Sequence, residues 1–72
     1  MADRVRTELM QIIESFISED ARAESDYEKA IKVAVEAGFP EIAVGLKQIR
    51  KDVKNHKDAL ELMLLGVKAE EQ

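Results

Sequence analysis

The sequence predicts an all-α fold: two long helices folded back on one another as an antiparallel hairpin. Three observations carry this. Apolar residues recur at alternating spacings of three and four through two long stretches. One glycine–proline break, Gly38 to Pro40, separates the stretches. The remaining composition, with three glycines and one proline in 72 residues, contains little else that would interrupt a helix.

The first helix is expected over about residues 3–37. Val5, Leu9, Ile12, Phe16, Asp20, Ala23, Tyr27, Ala30 and Ala34 mark its seam. Ile13, Ile17, Ile31 and Val33 widen that stripe. The turn falls at 38–40. Glycine just past a helix end, an apolar residue after it and proline at the next helix start form a stop-and-restart signal. The second helix is expected over about residues 40–69. Its seam is Ile42, Leu46, Ile49, Val53, His56, Leu60, Met63 and Val67, flanked by Ala43, Leu62, Leu64 and Leu65. At about 1.5 Å per residue each helix is roughly 40–50 Å long, and so short a connection makes them antiparallel neighbours.

The whole chain, residues 1–72, reads as one small domain without an internal repeat. A chain this short buries little apolar surface alone. It has no cysteine, which excludes disulfides, thiolate zinc sites and iron–sulfur clusters. Each apolar stripe is wider than one neighbour can cover. Self-association is therefore expected, most simply as a twofold homodimer with four helices. The dimer could pair closed hairpins or exchange helices between opened ones.

Charge narrows the function classes. The net charge of −4 argues against a general nucleic-acid binder. No apolar run is long enough to span a bilayer, and the polar faces are mixed rather than basic, so no membrane role is expected. With no apolar signal core at the N-terminus, a cytoplasmic location is the default expectation. Acidic residues dominate the first half, and Lys47, Arg50, Lys51, Lys54 and Lys57 make the start of the second half basic. Solvated helix faces explain this pattern, and a docking surface for an acidic partner is the alternative. Glycine-rich phosphate loops and cysteine nucleophiles are absent from the sequence, and only one histidine is present for acid–base work.

Asp20 and His56 are the ionisable residues that interrupt the seams, and Tyr27 follows Asp20 by two turns. They lie 18 residues before and 18 after Gly38, so an antiparallel pair sets them at similar height. A carboxylate on an apolar face needs a partner: histidine, tyrosine hydroxyl or metal. A hydrogen-bonded core histidine and a tyrosine in ordinary packing explain the same residues without a site.

Three segments together, Ser18 to Ala30, Ala37 to Ala43 and Ile49 to Leu60, resemble one half of a rubrerythrin, within the ferritin-like superfamily. The similarity spans about Leu9 to Leu65. What it implies is a ferritin-like four-helix bundle made from two hairpins. In such a bundle each hairpin gives a glutamate from its first helix and a Glu-x-x-His pair from its second, which together hold two irons. By this resemblance Asp20 takes the place of the first glutamate and His56 that of the histidine. Tyr27 matches a typical tyrosine, and with Glu24 it is placed to support the ligands. Val53 falls where the second glutamate belongs and cannot bind a metal. An active di-iron oxidase or peroxidase is therefore not expected. Two functional readings remain. In one, Asp20 and His56 of both chains hold a single divalent ion such as iron, zinc or manganese. In the other, the bundle is a metal-free structural or interaction module. A larger ferritin-like partner, supplying the missing glutamates, is a third arrangement that the resemblance allows.

Overall fold

The structure, a computed structural model, describes the backbone of residues 2–70 and the side chains of residues 4–69. Two helices make up the fold: α1, Ala2–Glu36, and α2, Pro40–Glu70. They pack against each other along their length, giving a rod of 55 × 14 × 12 Å. Neither helix is long and apolar enough to cross a membrane, among the described residues.

The turn forms as the carbonyls of Val33, Ala34 and Val35, at the end of α1, each find a backbone donor. The Phe39 N–H donates to the Ala34 carbonyl at 2.9 Å and the Gly38 N–H donates to the Val35 carbonyl at 3.1 Å. These are the two bonds of a Schellman ending, which needs a left-handed residue between them. Gly38 supplies it with φ of 82°. The Phe39 carbonyl accepts the first bond of α2, from the Ala43 N–H at 3.1 Å, and Pro40 starts that helix where its missing donor is not needed.

The seam between the helices repeats every seven residues. On α1 it comprises the column Ile13, Asp20, Tyr27, Ala34 and the adjacent column Met10, Ile17, Glu24, Ile31. On α2 it comprises Leu46, Val53, Leu60, Val67 and the adjacent Ala43, Arg50, Lys57, Leu64. All of these are buried or half-buried. This corrects the expected seam by about 50° of rotation on each helix, one heptad column. Leu9, Phe16, Ile42, Ile49, His56 and Met63, expected at the interface between the helices, are exposed in the single hairpin. The flanking columns took their place, and these include Glu24, Arg50 and Lys57. Such residues fit because their aliphatic stems cover apolar surface while the charged ends reach the rim.

The resulting core is thin. Among the described residues only Ile13, Ile31, Ala34 and Ala43 are buried. Ile31, Ala34 and Ala43 form one cluster beside the turn, with Leu46 packed against it.

Candidate functional site

The apolar columns left out of the hairpin seam lie together. On each helix they are shifted from the seam in the same rotational sense. Because α1 and α2 run antiparallel, equal shifts bring both columns out on one side of the rod. That side presents Leu9, Phe16, Ala23 and Ala30 from α1 beside Ile42, Ile49, His56 and Met63 from α2. Leu9 is 45% exposed, Phe16 47%, Ile49 43% and Met63 58%. The opposite side carries Glu14, Glu28, Lys47, Lys54, Glu61 and Lys68, all exposed. One face is apolar and the other charged. Val35, Val44, Leu62 and Leu65 are exposed away from the apolar face, scattered as single apolar residues are on most surfaces.

The apolar face is not flat. Ala23 and Ala30 leave a shallow dent, bordered by Asp26 and Tyr27 of α1 and by Leu46 of α2. Phe16 and Ile12 stand at the other end of the same helix, beside a second depression with Glu8, Gln11 and Ser15.

The residues singled out from the sequence occupy different settings. Asp20 is half-buried in the same heptad column as Ile13 and Tyr27. Val53 is half-buried in the seam of α2, and Tyr27 is half-buried at the edge of the dent. His56 is exposed, in one column with Ile42, Ile49 and Met63. A single chain therefore does not enclose Asp20 and His56 together. Its seam place at that height is taken by Lys57. Among the described residues no group of three His, Asp or Glu side chains is arranged to hold a metal ion. Val53, an aliphatic side chain, offers no metal donor in the seam beside them.

Glu24, expected beside the ligands, accepts a hydrogen bond from Lys57, with Nζ 3.0 Å from Oε2. The Glu24 carboxylate raises the Lys57 ammonium above its ordinary pKa. Partial burial acts against this, and the charges of Glu61 and Asp58 add to it. Lys57 was legible only as part of a basic stretch. Its membership of the column Ala43, Arg50, Leu64, two of whose members are apolar, is the sequence signal that places it in the seam.

The rod is large for its mass. Its radius of gyration is 16.5 Å, whereas a compact chain of this length has about 11 Å. It exposes 5632 Å², against about 4,500 Å² for a monomer of its mass. No family model, curated protein or solved structure matches the chain.

Proposed function

We propose that this chain is an assembly module: a helical hairpin that functions as a homodimeric, ferritin-like four-helix bundle. The observation that carries this is the one-sided apolar face. The surface in excess of a compact monomer is on the order of 1,000 Å², close to the roughly 800 Å² that each partner gives to a stable interface. Covering the face would complete a core that one copy leaves at four buried side chains. The test is the mass in solution by sedimentation equilibrium, with Phe16→Asp as the disrupting variant. The expected result is a dimer for the parent chain and a monomer of reduced helicity for the variant. A parent chain that stays monomeric and fully helical at high concentration would overturn the proposal.

A second reading is supported by the position of His56. It is the polar member of an otherwise apolar column, and a partner seated on that face would cover it. Two copies would then bring two imidazoles and two Asp20 carboxylates towards one centre. That donor set suits one divalent ion, zinc or iron, rather than a pair. Elemental analysis of dimer grown with zinc and iron should find about one ion per dimer, lost in His56→Ala. Metal-free dimer would leave the structural module as the function.

A further inference from the structure

The apolar face has a gradient of side-chain size, and we infer from it that the second copy packs in the reverse direction, with the two turns at opposite ends of the bundle. This rests on the proposal of self-association and adds the orientation and register of the partner.

On α1 the column facing outward reads Leu9, Phe16, Ala23, Ala30: two large residues towards the open end, two small ones towards the turn. Glu19 is the midpoint of Ala2–Glu36. Phe16 and Ala23 lie three and four residues either side of it, Leu9 and Ala30 ten and eleven. When α1 packs on a reversed α1 about its midpoint, each large residue meets a small one. Phe16 of one copy seats at Ala23 of the other, and Leu9 at Ala30. The dent at Ala23 and Ala30 is where such side chains would enter. Charge agrees with this register, since exposed Glu8 and Lys29 are nearly equidistant from the same midpoint and would face each other across the rim.

The same operation suits α2. About an axis at His56, Ile49 and Met63 are each seven residues away and exchange places, pairing residues of similar bulk. The two axes agree in height. Ile31, Ala34 and Ala43 form one cluster at the turn with Leu46 packed against it, which sets residues 34 and 31 at about the heights of 43 and 46. Counting down both helices from there brings the α1 midpoint level with residues 57–58, about 2 Å from His56.

The alternative twofold, with both turns at one end, lays α1 on the α2 of its partner. Phe16 then meets Met63, large on large, while Ala30 meets Ile49, small on large. The contact would be bulkier at the open end than at the turn, so the facing helices could not keep one spacing. Only the reversed copy gives an even spacing along the whole length.

The chain has no cysteine, so single-cysteine variants report the orientation directly. Leu9→Cys and Ala30→Cys chains, mixed, refolded and oxidised, should give a disulfide-linked dimer. Leu9→Cys alone should not, its two thiols lying about 30 Å apart. A nitroxide on Ala30→Cys, the milder substitution, should give an inter-label distance of about 30 Å by pulsed electron resonance. Linkage of Ala30→Cys to Ile49→Cys in mixed chains, with a label distance near 15 Å, would overturn the reversed orientation while leaving the dimer intact. Equal linkage of both pairs would overturn a unique register. A monomer by sedimentation would instead overturn the self-association on which the inference rests.

Discussion

Lys57 crosses the hairpin seam to Glu24, its Nζ 3.0 Å from Glu24 Oε2, with the two side chains 23% and 21% exposed. The heptad neighbours of Glu24 are Met10, Ile17 and Ile31, and those of Lys57 include Ala43 and Leu64. The ion pair thus interrupts apolar columns of both helices, the lysine side chain reaching about one turn along the seam to its partner. Sliding the helices so as to draw the two apart would leave each charge among aliphatic side chains of its own column. That makes the pair a register mark, a role for which isolated polar groups in helical seams are well suited.

The pair also gives a pH dependence with a definite sign. Lys57 has its pKa raised in the folded chain by the Glu24 carboxylate. Its contribution is fully present below the unfolded lysine value of about 10.4 and is lost as pH rises through the higher folded value. Thermal melts of parent chain and Glu24→Gln at equal concentration should therefore differ at pH 9 and converge above that window. Parallel curves across the alkaline range would show that the ion pair does not stabilise the seam.

Gly38 is the second point of register. With φ of 82°, it occupies backbone space that a Cβ disfavours by about 1–2 kcal/mol. No neighbouring atom lies within 4 Å of where a Cβ would stand, so the penalty is conformational rather than steric contact. Gly38→Ala should lower the stability by about 1 kcal/mol, read as a lower denaturation midpoint with an unchanged slope. A stabilised variant would mean that the closed turn is not the form that unfolds, as in a dimer of opened chains.

The hairpin itself was legible in the sequence, because heptad spacing and a Gly38–Pro40 break are local signals that tertiary contacts rarely override. What the spacing does not contain is which of two adjacent columns meets the partner helix. Leu46, Val53 and Leu60 belong to both choices. Ile49 and His56 look more interior than Arg50 and Lys57, yet the latter pair lies in the seam. In the proposed dimer each helix would have two neighbours, and its more apolar column would be kept for the one in the other chain. The candidate ligands suffered from this directly: Asp20 lies in a shared column and is half-buried, whereas His56 lies in the outward one.

Replacing both residues distinguishes the two functional readings. Among the described residues the Asp20 carboxylate makes no hydrogen bond or ion pair, and a covering partner would bury its charge further. If the bundle is a metal-free module, Asp20→Leu with His56→Leu should leave the dimer as stable as the parent or more so, by about 1–4 kcal/mol. Denaturation at fixed protein concentration measures this, since dimer stability depends on concentration. A clear loss in the double variant, matched by loss of bound zinc or iron, would identify the pair as ligands instead.

The size gradient on α1 makes the most specific prediction, because it concerns two residues of one chain that would meet only between chains of the proposed dimer. Phe16→Ala should leave a void opposite Ala23 and weaken the dimer by about 3–5 kcal/mol for each buried phenyl ring. Ala23→Phe should oppose two rings where one fits and cost about 1–3 kcal/mol through overpacking. In the reversed dimer the double variant restores the large-on-small contact, because the two positions simply exchange roles. The ring then stands at position 23 and meets the alanine that replaces Phe16 in the partner copy. Dissociation constants for the parent, both single variants and the double variant close a thermodynamic cycle. Recovery of most of the loss, with a coupling free energy well above about 0.5 kcal/mol, is the expected outcome. Additive losses would mean that Phe16 and Ala23 do not meet, and would return the dimer to the same-end arrangement in which Phe16 faces Met63.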